Sequence, residues 1–156
     1  MTLGHLARRF FGSLWPAGPN ATAQQFVAAS LNTGELELWR RMSAADRRHS
    51  VAVARRVVAV AGDPPEVVAA ALLHDVGKID SALGTFARVA ATIVGPRRAR
   101  GRMAAYLRHD AIGADLLQAA GARDLVVTWA REHHLPPERW TVPSAVGAAL
   151  KAADDD

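Results

Sequence analysis

Apolar residues in this chain recur at three- and four-residue spacing and never settle into sustained two-residue alternation, a pattern that predicts helices and no sheet. Thr22, with Gln25 three residues on, offers a capping box ahead of Phe26 and Val27. A short helix is expected over 35–42, carrying Leu38 and Trp39. Ser43 caps the next helix, with Asp46 in its first turn. That helix runs over about 44–61, sets Val53, Val57 and Val60 on or beside the face of His49, and stops at Gly62.

Asp63-Pro64-Pro65-Glu66 reads as a strong helix start, with Asp63 as cap and Pro64 at the first helical position. The run VVAAALLHDV continues it to Gly77. A helix apolar on almost every side is a buried one, so His74 and Asp75 are expected in the last turn of a central helix. Further helices are expected over 85–94, 101–107, 111–120, 122–133 and 144–153. Gly95-Pro96 and Gly121 separate them, and Pro136-Pro137 ends the one that carries His133 and His134.

Met1 to Trp15 is amphipathic, setting Leu3, Leu6, Phe10, Phe11 and Leu14 against Arg8 and Arg9. It lacks the long apolar centre and cleavage site of a signal peptide. A helix packed on the domain, a frayed end and a membrane-surface helix are its three readings. The segment PAGPN follows as a linker. Residues 1–20 are therefore expected to form an extension and linker, and 21–156 one compact all-α helical bundle.

Composition sharpens this picture at four points. A chain of 156 residues suits one domain, and its abundant alanine favours helix. There is no cysteine, which excludes disulfides, thiolate catalysis and thiolate metal sites. Any metal must then sit on imidazole and carboxylate, a donor set that suits iron, manganese, zinc, nickel or magnesium. No apolar run approaches the ~18 residues of a membrane span, and a cytoplasmic protein is expected.

The formal charge of +4 comes mostly from arginine, clustered at Arg8–Arg9, Arg47–Arg48, Arg55–Arg56 and Arg97–Arg98 with Arg100 and Arg102. These are either solvated surface or an attraction for a phosphorylated ligand. Stacking aromatics are not interleaved with them, so no DNA or RNA polymer is expected as a partner.

Of the six histidines, His5 stands alone. The other five have telling neighbours. In LLHDVGK, His74 and Asp75 close a buried helix, where a charge must be paired or bound to metal. Adjacent helical residues point about 100° apart. His74 can then serve one ion while the two oxygens of Asp75 bridge to a second; a hydrogen-bonded His–Asp pair is the alternative. His49, His109, the adjacent His133–His134 and Asp154 complete a set of nitrogen and oxygen donors sufficient for two ions. Each taken singly also reads as an ordinary core or surface residue, and Asp154 as part of an acidic tail in which Asp155 or Asp156 could replace it.

The order His, His-Asp, Asp on separate helices resembles the HD phosphohydrolase superfamily, with His49, His74, Asp75 and Asp154 at its hallmark positions. His109 and His133–His134 are similar to the extended pattern of its binuclear HDIG and HD-GYP-like phosphodiesterases. Lys78, three after Asp75, matches a lysine those enzymes aim at substrate phosphate. The resemblance spans about 43–154. It departs at LPPERW, where HD-GYP proteins carry glycine-tyrosine-proline, and at Ala45, where trinuclear members carry glutamate. The carboxylate pair of (p)ppGpp hydrolases is absent from VGKIDSA.

The resemblance implies an HD-domain bundle holding two divalent ions, iron or manganese foremost, with zinc, nickel or magnesium as further candidates. His49, His74, Asp75 and Asp154 would hold the first. His109, His133 and His134 would hold the second, with Asp75 between them. A hydroxide bridging the ions would attack a phosphate ester, with Asp75 and Lys78 as catalytic residues and Lys78, Arg97 and Arg98 binding the substrate. That substrate is expected to be a phosphorylated small molecule, such as a nucleotide or cyclic dinucleotide, with a homodimer left open. Two other classes share this residue set: HD-type mixed-valent di-iron oxygenases, and a non-catalytic metal-stabilised domain that binds a nucleotide or partner.

Overall fold

The computed structural model of the chain describes residues 17–81 and 108–155. The amphipathic N-terminal segment, the helices expected over 85–94 and 101–107, and Arg97, Arg98, Arg100 and Arg102 lie outside the described residues. Every regular element among the described residues is helical.

Helices α1 (Ala21–Ser30) and α2 (Thr33–Arg41) lead in. The cap of α1 is Asn20, whose side chain accepts from the Ala23 amide at 3.0 Å, and not Thr22. An Asn immediately after Pro19 satisfies a free amide two residues earlier than the expected box would. Helix α2 starts at a reciprocal capping box between Asn32 and Glu35, both bonds 2.9 Å. Helix α3 (Ala44–Ala61) keeps its expected bounds: Ser43 Oγ accepts from the Asp46 amide, and Gly62 ends it at φ +75°, a conformation open to glycine.

Helix α4 (Pro65–Leu73) starts one residue later than the double proline implied. The residue before a proline is pushed out of the helical region. Pro64, preceding Pro65, is accordingly extended (ψ 122°), and neither it nor Asp63 supplies a side-chain cap. The α4 hydrogen bonding also closes early, at Leu73, so His74 and Asp75 lie in the turn just beyond the helix and not in its last turn. The short α5 (Lys78–Ser81) follows this turn. Helix α6 (His109–Ala119), helix α7 (Asp124–Glu132), a 3-10 turn at Pro137–Arg139 and helix α8 (Ser144–Asp155) complete the described chain.

Helix α4 is the axis. Every residue from Val67 to Leu73 is buried. Helices α3 and α7 pack along it most extensively, and α1, α2 and α8 also touch it; α6 lies against α7. Three consecutive alanines, Ala69 to Ala71, leave room for neighbours on all sides, while Leu72 and Leu73 fill the centre with Val53, Val57, Leu117, Trp129 and Leu150. Each such leucine contributes roughly 1.5–3 kcal/mol by leaving water. No helix among the described residues is long and apolar enough to cross a membrane.

One ion pair ties the far end of the bundle together. Arg123, the residue that caps α7, reaches buried Glu35 on α2 at 2.6 Å and the Ser30 carbonyl ending α1 at 2.8 Å. Burial alone would raise the Glu35 carboxyl, but the hydrogen bonds from Arg123 and the Asn32 amide outweigh it and hold the group below its ordinary value of 4.5. Glu35→Gln is therefore expected to cost about 3 kcal/mol at neutral pH. A depressed carboxyl stabilises fully above its unfolded pKa and loses that contribution as pH falls through the folded one. Urea unfolding of both proteins should show their stability gap closing below about pH 4.5. A gap independent of pH would contradict the assignment.

Candidate metal centre

The turn after α4 converts a buried apolar helix into a polar centre. His74 keeps helical dihedrals (φ −53°, ψ −34°), so its ring Nδ1 reaches the Ala71 carbonyl three residues back at 2.9 Å. A carbonyl can only accept, so Nδ1 carries the proton and Nε2 faces inward. At the end of α7 the same device recurs: His133 Nδ1 donates to the Ala130 carbonyl at 2.9 Å. The two locked rings stand 5.4 Å apart, centroid to centroid.

The approach of α6 is set by Gly77. A Cβ there would lie 1.9 Å from the His109 carbonyl oxygen and 2.5 Å from the Gly113 amide nitrogen. Any side chain at position 77 would force the turn away from α6, and with it His109, the first residue of that helix. Because glycine is present, His109 Nε2 comes to 3.2 Å from Asp75 Oδ1. The other segments arrive by packing. His49 projects from the middle of α3 and meets Asp154 Oδ1 of α8 at 2.9 Å. Helix α8 runs two residues further than expected, so Asp154 lies within the helix and not one step past it. His134 follows His133 off α7 and places Nε2 3.1 Å from His109 Nε2.

Asp75 sits at the middle of the group. Its Oδ1 faces His109 and His133, at 3.2 and 3.8 Å; its Oδ2 faces His74 at 3.4 Å and pairs with Lys78. The donors divide into two sets that share this aspartate: His49, His74 and Asp75 on one side, and Asp75, His109, His133 and His134 on the other. Asp154 stands beside the first, 3.6 Å from His74 Nε2. The seven side chains expected to hold metal, and Lys78, thus converge on one place. Arg97 and Arg98 lie outside the described residues.

Two observations indicate that this donor set fits divalent metal. Among the described residues the buried Nε2 atoms of His74 and His133 find no hydrogen-bond partner, although both rings are oriented by their other nitrogen. Leaving such atoms unpaired is costly, and an imidazole whose far nitrogen is fixed by a carbonyl is the arrangement found on metal ligands. The charges agree. Burial pushes the His133 imidazole well below its ordinary range, reinforced by the charge on His74, and burial with His109 lowers His134. Both are thus neutral, as ligands must be. Burial alone would raise Asp75, but the Lys78 ammonium and His74 draw it well below the usual carboxylate range. Asp154, likewise, is raised by burial but taken far lower by His49 and His74.

Two features escaped the sequence. Glu132 is buried beside the centre, on the same side of α7 as Trp129, and accepts hydrogen bonds from Thr141 and Val142. The three-residue step from Trp129 is the signal that could have revealed it. The Glu35–Arg123 pair spans 88 positions, and nothing local to either residue announces it.

A family model for the HD domain matches residues 47–155, and the chain belongs to that family. HD domains bind divalent metals, and the family is in general one of metal-dependent phosphohydrolases. No curated protein and no solved structure matches the chain.

In metal-free protein the negative charges of Asp75 and Asp154 keep a proton on His74. Burial disfavours charge on His74, but Asp75 and Asp154 outweigh it and push its pKa up to about 10. A raised pKa stabilises the fold fully below the unfolded value of 6.5 and loses that contribution as pH rises through about 10. Imidazole NMR of chelator-treated protein should show His74 still charged at pH 8. Titration near its ordinary 6.5 would contradict this electrostatic reading.

Proposed function

We propose that the chain is a metal-dependent phosphohydrolase acting on a small phosphorylated molecule, a nucleotide or cyclic dinucleotide in the first instance. The observation that carries this reading is the double aspect of Asp75, whose two oxygens face two separate groups of donors. His49, His74, Asp75 and Asp154 would hold one divalent ion, and Asp75, His109, His133 and His134 a second. When bound, the ions would supply Lewis-acid charge and an activated water at neutral pH.

The chain's own residues do the rest. The Ala71 and Ala130 carbonyls fix the rings of His74 and His133, so that the donors need no reorganisation. Asp75 keeps its charge through burial because Lys78 and the imidazoles surround it. Lys78 is on the first turn of α5 and partly exposed, at 15% of its side chain. With ions held at Asp75, the Lys78 ammonium would be available to a phosphoryl oxygen and would offset the charge that gathers there as the ester bond breaks. The apolar floor formed by α4 keeps bulk water from the inner side of the centre. Arg97 and Arg98 remain candidates for a further phosphate contact.

Asp75→Ala is expected to lose both ions and all hydrolysis of an aryl phosphodiester, measured by elemental analysis and turnover on the same preparation. Full turnover by that variant would exclude the proposal. Lys78→Ala should keep its metal and lose roughly 10²–10³ in rate, the usual cost of removing one group that stabilises developing charge. Loss of metal with Lys78 would instead assign it to holding Asp75. Oxygen uptake by the iron-loaded protein without phosphate release would favour the oxygenase reading, and a nucleotide recovered intact would favour a binding role.

A further inference from the structure

Glu132 is a buried acid for which the metal reading has no use, and its contacts point to a definite role. Its Oε2 accepts the Thr141 amide at 2.7 Å and the Val142 amide at 3.4 Å, and its Oε1 accepts the Thr141 hydroxyl at 2.6 Å. The segment between is a closed strap. It leaves α7 after Glu132, passes through His133 and His134, turns at Pro136 and Pro137, and returns to the same glutamate. Trp140 seals the return. Its Nε1 donates to the Leu135 carbonyl at 3.0 Å, and its ring stands edge-on to Trp129 at 5.5 Å and tight against Gly147 of α8.

The two histidines in the strap are secured differently. His133 is buried and locked to the Ala130 carbonyl. His134 is the more exposed of the two, and among the described residues its ring hydrogen-bonds with His109 alone. Its direction therefore depends on the path of its backbone. The strap fixes that path, and Glu132 fixes the strap. A glutamate suits this position because its two oxygens accept all three donors at once; a glutamine could keep the two amides on its oxygen and donate to the Thr141 hydroxyl, whereas an apolar side chain would leave all three groups unpaired.

We propose that Glu132 is a positioning residue for the second half of the metal centre, holding His134 and the strap so that His109, His133 and His134 present their nitrogens together. The proposal rests on the two-ion reading above. It assigns Glu132 no contact with metal or substrate. It also distinguishes the halves, because His49, His74 and Asp154 come from α3, the α4 turn and α8, outside the strap.

The test is a cobalt(II) titration of the full chain followed by visible absorption, with metal content by elemental analysis. His49→Ala and His109→Ala serve as references for loss of the first and second half. Glu132→Met, which removes all three hydrogen bonds at similar volume, should weaken the second ion about tenfold or more and leave the first unchanged. It should also speed amide hydrogen exchange at Thr141 and Val142. Thr141→Val, which removes only the hydroxyl bond, should produce the same selective loss to a smaller extent, and it decides the matter if Glu132→Met does not fold. Equal weakening of both ions would show a merely structural role and overturn the proposal, as would unchanged exchange with both affinities intact. A wild-type protein that binds no cobalt would overturn the two-ion reading, while the exchange at Thr141 would still judge the strap.

Discussion

A carboxylate at the end of a buried apolar helix is the constraint on which this structure turns. Asp75 is 4% exposed and stays ionised. Left alone, such a charge would cost several kcal/mol. The bundle answers by directing Lys78, His74, His109 and His133 at its two oxygens, from the α4 turn, α5, α6 and the end of α7. Once those groups are gathered, their inward nitrogens require a partner in turn, and among the described residues two of them make no hydrogen bond. A divalent ion resolves both needs, since it accepts the imidazole lone pairs and neutralises the carboxylate.

The rest of the fold serves the approach of these elements. Helix α4 can lie among five others because its middle is alanine and its apolar surface is continuous. Gly77 lets the turn touch the backbone of α6. Polar clamps then fix the elements where apolar packing alone would allow them to slide: Glu35 with Arg123 at one end, Glu132 with Thr141 beside the centre, and the Arg56 side chain on the Ala153 carbonyl at the root of Asp154. Each clamp joins segments remote in sequence from one another or closes a strap, and each lies within reach of an element that carries a donor.

How much of this was legible in the chain follows from the range of each signal. The helices over 44–61 and around 65–73 announce themselves through Ser43, Gly62 and the apolar run, because caps and periodicity are local. The group of side chains that gathers at Asp75 was also visible as a candidate, since six of the seven are histidines or the aspartate of an unusual His-Asp step, and the order resembles a known family. Local rules failed where two of them compete. Pro64 could begin a helix, but Pro65 behind it forbids the helical conformation. Asn20 captured the cap that Thr22 offered. The pairing of Glu35 with Arg123, the strap closed by Glu132 and the contact of Gly77 with α6 depend on where other elements pass, which no window of sequence contains.

Anomalous X-ray diffraction from crystals of the protein grown with manganese, without chelator, addresses the central claim most directly. The account predicts two anomalous peaks, one on each side of the Asp75 carboxylate: the first among His49, His74 and Asp154, the second among His109, His133 and His134. Density that shows these side chains bonded only to one another, with no anomalous scatterer between them, would contradict it.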